Sequence, residues 1–175
     1  QVGHHQFSWD VRQNPKVVDI FSKIWSTKPE DLLTSFDGAS FHFPPEETNR
    51  GWYRQTWYHT DQSYFRPDFE CVQSWVTGED VEDGAATLTV YEGSHKLQKE
   101  FAEKFDVKEK KDWYKLSDEE ELFYINKGCE RVHIKCPKGS MVFWDSRTIH
   151  CGAEPRRDRK NEKFRAVVYL CYQPR

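Results

Sequence analysis

A chain of 175 residues with a formal net charge of -3 and 15% aromatic residues is long enough to bury one real core. It has no basic excess and no five-residue run of like charge, which argues against a nucleic-acid partner. No apolar stretch approaches the roughly 20 residues that span a bilayer, and no signal-peptide pattern opens the chain. Cys71, Cys129, Cys136, Cys151 and Cys171 are odd in number and form no CxxC pair. They read as reduced thiols of an intracellular, cytoplasmic protein rather than as a disulfide framework or zinc knuckle. With no repeat and no linker, residues 1–175 read as a single domain; the start at Gln1 without Met points to an upstream segment outside this sequence.

Taken in order, residues 1–14 show no clear period, and His4 and His5 read as solvated terminal residues. From Pro15, apolar Val17, Val18, Phe21, Ile24 and Trp25 recur at helical spacing behind an Asn14 N-cap, predicting an amphipathic helix to about Thr27-Lys28 that covers one face of a sheet. Leu32–Phe43 predicts two short strands about the turn Asp37-Gly38, stopped at Pro44-Pro45. Glu46–Gly51 reads as a charged, mobile lip. A strand follows over Gln55–Asp61, another over Phe69–Thr77, and a third over Ala85–Tyr91 after an acidic turn. Lys96–Phe105 and Ser117–Tyr124 read as helices inserted between strand-rich halves, the second opened by a Ser117/Glu120 capping box. Arg131–Cys136, Ser140–Trp144 and Phe164–Tyr172 complete the strands. Many short strands, few helices and no βαβ alternation predict a mainly β domain of two packed sheets.

The chemistry concentrates in His59-Thr60-Asp61 and in Thr148-Ile149-His150. In a strand, alternate side chains share a face, so His59 and Asp61 project together. Two imidazoles and one carboxylate on one face of an octahedral ion leave positions open, the pattern of non-haem Fe(II) oxygenases, and His150 is the best third arm. Arg165 opens the last strand fifteen residues after His150. A guanidinium in a dry pocket suits a dicarboxylate because it offers two parallel charge-assisted bonds. His95 competes as a ligand but reads as a loop-shaping residue, and His42 and His133 read as structural. Asp145 and Arg147 predict a local ion pair, with Arg147 also open as a substrate contact. The aromatics Trp52, Tyr53, Trp57, Tyr58, Tyr64 and Phe65 suit either a pocket lining or the core.

At His59-Thr60-Asp61, Asp83-Gly84 leading to Gly93-Ser94-His95, Gly139 to His150, and Arg165, the chain resembles the phytanoyl-CoA dioxygenase family of Fe(II)- and 2-oxoglutarate-dependent oxygenases. These segments run in the family's order over roughly the last two thirds of the chain. The resemblance implies a double-stranded β-helix (a jelly-roll or cupin-like sandwich) of about eight strands with a few flanking helices. It implies iron on His59, Asp61 and His150, with Arg165 gripping the distal carboxylate of 2-oxoglutarate. Trp75 falls where the family has an aromatic beside the cosubstrate, and Thr60 where a polar residue can reach it. The gap from His150 to Arg165 is longer than is usual in the family, which keeps Arg156, Arg157 and Arg159 open as alternative anchors. Because the carboxylate ligand is present as Asp61, hydroxylation rather than halogenation is expected, consuming O2 and releasing succinate and CO2, with ascorbate as a supporting reductant. The substrate, a small molecule or peptide, is not specified. Two other readings stay open: a non-catalytic ligand- or sugar-binding β-sandwich, and a cupin-like metalloenzyme that does not use 2-oxoglutarate.

Overall fold

The structure is a computed structural model that describes residues 2–175. In chain order its helices are α1 (Gln6–Arg12), α2 (Pro15–Trp25), α3 (Pro45–Thr48), α4 (Gln98–Lys104) and α5 (Asp118–Asn126). Its strands are β1 (Leu32–Thr34), β2 (Ala39–His42), β3 (His59–Thr60), β4 (Val72–Thr77), β5 (Thr87–Tyr91), β6 (Tyr114–Lys115), β7 (Arg131–His133), β8 (Met141–Asp145), β9 (His150–Ala153) and β10 (Arg165–Pro174). They form two antiparallel five-stranded sheets. One runs β1-β10-β4-β8 with β2 also on β10; the other runs β6-β3-β9-β5-β7. This is the expected jelly-roll of a double-stranded β-helix, mainly β with few helices.

Alternation along the central strands assigns every layer. In β10, Val168, Leu170 and Tyr172 pack with Val17 and Phe21 of α2, whereas Val167 and Tyr169 pack with Trp75, Leu88 and Val90 between the sheets. β4 divides the same way, Val72 and Val76 going outward and Trp75 inward. A third cluster (Tyr58, Tyr91, Ile149 and Cys151 with Phe101, Phe123 and Tyr124) fills the space between the second sheet and helices α4 and α5. The order is therefore helix, sheet, interior, sheet, helices.

Helix α2 starts as predicted, with Asn14 accepting from the Lys16 N–H at 3.0 Å and Pro15 in the first turn. It ends at a left-handed Ser26, slightly before the predicted boundary. Phe21 is fully buried against Phe143 and Tyr172, with ring centroids 5.5 and 5.1 Å away. Phe21→Ala is expected to destabilise the fold by about 3–5 kcal/mol, because the cavity adds to the lost transfer energy. Chemical denaturation measures it, and a loss below about 1 kcal/mol would show that α2 does not seal the sheet. The Ser117/Glu120 capping box of α5 is also present.

Three expectations need correction. Residues 6–12 are helical: Arg12 is buried and donates to the carbonyls of Gly3 and Asp37, so long-range bonds rather than periodicity hold α1. The strand expected over Gln55–Asp61 shrinks to His59–Thr60, because residues 51–58 find no ladder partner. His150 opens a separate strand, β9, rather than ending the one before it.

Candidate metal centre

β3 and β9 are adjacent, and His59 lies opposite His150 in their register, with ring centroids 4.3 Å apart. Asp61 follows one residue beyond β3, on the same face as His59. The turn Asp145-Ser146-Arg147-Thr148 fixes the rest. The Ser146 carbonyl accepts the backbone N–H groups of Asp61 (3.2 Å) and Gln62 (3.1 Å), which locks the end of β3 to the start of β9. Arg147 closes the turn through the expected pair with Asp145 at 2.6 Å. Fully buried Ser94 accepts the Ile149 N–H at 2.8 Å, pinning the backbone next to His150. Ser94 follows Gly93, whose φ of +79° suits glycine. The Gly-Ser-His turn thus shapes the site, and His95 is not among the clustered ligand atoms.

The three ligand atoms of His59, Asp61 and His150 lie within 4.8 Å of one another. His59 Nε2 stands 3.4 Å from Asp61 Oδ1, and His150 Nε2 stands 3.2 Å from Asp61 Oδ2. Each imidazole directs its other nitrogen at a backbone carbonyl, His150 Nδ1 to Thr148 (2.8 Å) and His59 Nδ1 to Trp57 (3.3 Å). A carbonyl can only accept, so Nδ1 carries a proton in each ring, and Nε2 is the atom left to face Asp61 or a metal. Burial alone would raise the Asp61 carboxyl, but hydrogen bonds and charge from His150 and His59 outweigh it and hold it well below the usual carboxylate range. Both histidines are buried and Asp61 is 26% exposed, so the group opens through the aspartate. A cavity of about 680 Å³ lies there, bordered by Asp61, Gln73, Ser146 and Cys71.

The other proposed site residues divide. Arg165 shares the inward face of β10 with Val167 and Tyr169, and its guanidinium lies over the ring of Trp75 at 5.9 Å. It has no hydrogen-bond or ion-pair partner among the described residues, whereas Arg156 and Arg159 are ion-paired and Arg157, like Arg165, has only an aromatic ring beside it. Arg156 pairs with Asp83 and Asp158, Arg157 lies over Trp52, and Arg159 binds both carboxylate oxygens of Glu46. The expected lip is therefore tied down at Glu46. Arg165 borders not the metal-side cavity but a second one of about 280 Å³, with His42, Pro155 and Arg159. Between Arg165 and His150 stands a wall of Trp75, Gln73 and Trp144: Gln73 faces Trp144 in the β4–β8 register, and Trp144 lies 5.5 Å from the His150 ring. Three of the five buried side-chain polar atoms left without a partner among the described residues are here: Trp75 Nε1, Trp144 Nε1 and Gln73 Oε1. Buried polar atoms are rarely unpaired, so this wall is shaped for a polar ligand.

Thr60 is not part of it. It points to the opposite face of β3 from His59 and Asp61, and its buried hydroxyl donates to the carbonyls of Gln62 and Ser146. Its role is to brace the turn. The aromatics near the motif also separate: Tyr58 and Tyr64 are core, while Trp57 and Phe65 are exposed. Trp57 stacks on His59 at 4.7 Å. Trp113, not singled out in the sequence, flanks the same ring at 5.5 Å and donates its backbone N–H to the Asp61 carbonyl. Its only signal in the sequence was an indole directly after the charged run 108–112.

Comparisons with known proteins agree with this geometry. The family model described as Phytanoyl-CoA dioxygenase (PhyH) matches residues 1–160, a span that stops before Arg165. A curated relative, Ava biosynthesis cluster protein O of Aspergillus versicolor, is 28% identical over 99% of this chain and 56% of its own length. Among solved structures, EctD from S. alaskensis with bound Fe superposes with a TM-score of 0.63 at 14% identity, over 99% of this chain and 55% of that one. The epimerase SnoN, in complex with Fe3+, alpha ketoglutarate (2-oxoglutarate) and nogalamycin RO, gives a TM-score of 0.60 at 16% identity, over 92% and 56%. The chain thus spans about half the length of these relatives.

Proposed function

The chain belongs to the phytanoyl-CoA dioxygenase family, and from that premise we propose that it is a non-haem Fe(II)- and 2-oxoglutarate-dependent oxygenase that hydroxylates a C–H bond of a small-molecule or peptide substrate. The observation that carries this reading is the convergence of two imidazole Nε2 atoms and one carboxylate with both Nδ1 protons already committed to carbonyls. That donor set is the two-histidine, one-carboxylate facial group suited to Fe(II) with open positions.

His59, Asp61 and His150 would hold the iron, and Arg165 the distal carboxylate of 2-oxoglutarate. When bound, iron and 2-oxoglutarate together supply the oxidising chemistry, with dioxygen reduced and the cosubstrate converted to succinate and CO2. The protein's own contribution is placement. The Ser146 carbonyl and Ser94 hydroxyl hold the ligand-bearing segments in register, so the donors need little rearrangement. The indoles of Trp75 and Trp144 offer N–H donors on the wall they share with Gln73, where a carboxylate would accept from them. Asp61 faces the larger cavity, which gives a substrate its approach.

Release of succinate from 2-oxoglutarate by the iron-loaded protein tests the reading directly.

A further inference from the structure

Cys71 and Cys171 stand 100 positions apart in the chain, yet their sulfurs approach to 3.6 Å. Cys171 lies on β10 opposite Gln73 of β4, and Cys71 lies two residues before Gln73 on the same inward-facing side. Both thiols border a cavity of about 380 Å³ with Asp37, and Cys71 also borders the metal-side cavity with Asp61. Each is half-buried, so a small oxidant can reach either sulfur. The other three differ. Cys151 is fully buried with its thiol pushed up to about 11 by burial, and burial also raises Cys129 and Cys136.

We propose that Cys71 and Cys171 form a thiol-oxidation site, closed by a peroxide into a disulfide that loosens the grip of the neighbouring His59–Asp61–His150 group on its metal. The Cys71 thiolate attacks one peroxide oxygen and the O–O bond breaks; Cys71 becomes a sulfenic acid, and the expelled hydroxide takes up the proton that Cys71 released and leaves as the first water. The Cys171 thiolate then attacks the Cys71 sulfur and the S–O bond breaks; the expelled hydroxide takes up the proton that Cys171 released and leaves as the second water. Two thiols lose two electrons and hydrogen peroxide gains them, giving one disulfide and two waters. The pair is set for this order. Cys71 borders both cavities whereas Cys171 borders one, so peroxide meets Cys71 first, and the hydrogen bond from Cys171 lowers the Cys71 thiol.

Coupling to the metal group runs through two backbone bonds. Diagonal neighbours on antiparallel strands have Cα atoms about 7–8 Å apart, beyond the usual disulfide span of about 4.4–6.8 Å. Closing the bond therefore draws Cys71 toward Cys171, which its position just outside β4 permits. The Cys71 carbonyl accepts the Ser146 N–H at 3.0 Å, and the Ser146 carbonyl accepts the Asp61 N–H at 3.2 Å. Moving Cys71 thus pulls on the turn that sets a metal-binding carboxylate. A bond formed under such strain is also readily reduced. This second half of the proposal rests on the metal-centre reading; the disulfide itself does not.

The test uses metal-free protein with stoichiometric hydrogen peroxide, followed by alkylation, mass mapping and titration with Mn(II), which does not itself consume peroxide. The expected result is a mass loss of two hydrogens, a cross-linked Cys71–Cys171 peptide reversed by dithiothreitol, and Mn(II) affinity about tenfold lower in the oxidised form. In Cys171→Ser the cross-link is absent and a sulfenic acid at Cys71 is trapped by dimedone. Both thiols remaining alkylatable after peroxide would overturn the oxidation site. A cross-link with unchanged Mn(II) affinity would overturn the coupling. No Mn(II) binding by the reduced protein would count against the metal centre instead, leaving the disulfide result to stand alone.

Discussion

Asp61→Ala is expected to lower Fe(II) affinity by more than about 100-fold and to remove 2-oxoglutarate turnover while the protein stays folded. Loss of an outer-shell partner alone costs about 10–100-fold, and Asp61 is a direct donor that faces both histidine Nε2 atoms. Its side chain is 26% exposed, and the backbone contacts it makes to Ser146 and Trp113 do not need the carboxylate, so the variant has little reason to unfold. His59→Ala should lose the same activity. Its ring is buried against Trp57 and His150, so some loss of stability accompanies it. Equilibrium metal titration with a thermal melt separates the two effects. Retained 2-oxoglutarate turnover by a metal-loaded Asp61→Ala protein would remove the triad assignment.

Arg165→Ala should weaken 2-oxoglutarate binding by a factor on the order of 10² to 10⁴. A guanidinium offers a carboxylate two parallel charge-assisted bonds, each contributing about 1.5–3 kcal/mol, and every 1.4 kcal/mol is about tenfold. Arg165→Lys should recover part of the loss, because it keeps the charge but not the fork. Arg156→Ala and Arg157→Ala should change the affinity little, since neither lines the cavity that Arg165 borders and Arg156 is paired with Asp83 and Asp158. Anaerobic calorimetry on the metal-loaded protein reads all four. A large loss on replacing Arg156 or Arg157, with Arg165→Ala binding normally, would move the anchor into the loop. Normal turnover by Arg165→Ala would favour a metalloenzyme that has no use for 2-oxoglutarate.

Much of the site was legible because period-two alternation is a strong constraint. It put His59 and Asp61 on one face, and in β10 it put Arg165 with Val167 and Tyr169, as the structure has them. The same rule places Thr60 on the other face, and there the family resemblance was the weaker guide: the hydroxyl braces Ser146 instead. The pairing of β3 with β9 was not legible, since His150-Cys151-Gly152-Ala153 has no alternation and the strand exists through its partners Thr87–Val90 and His59. Helix α1 was invisible for a related reason, its seven residues depending on Arg12 reaching the Asp37 carbonyl. Nor does a local pattern join Cys71 to Cys171, or place Trp144 against His150. These contacts follow from register between distant strands, which is set only when the sheets close.

The most direct measurement of the central claim is succinate release from 2-oxoglutarate by purified protein loaded anaerobically with Fe(II) and then exposed to dioxygen, with ascorbate present, against Asp61→Ala under the same conditions. Slow succinate formation without added substrate is expected in the native protein and none in the variant. Equal rates in both, or no succinate together with no 2-oxoglutarate binding to the metal-loaded protein, would contradict it and return the fold to a sandwich that binds a ligand without oxidising it.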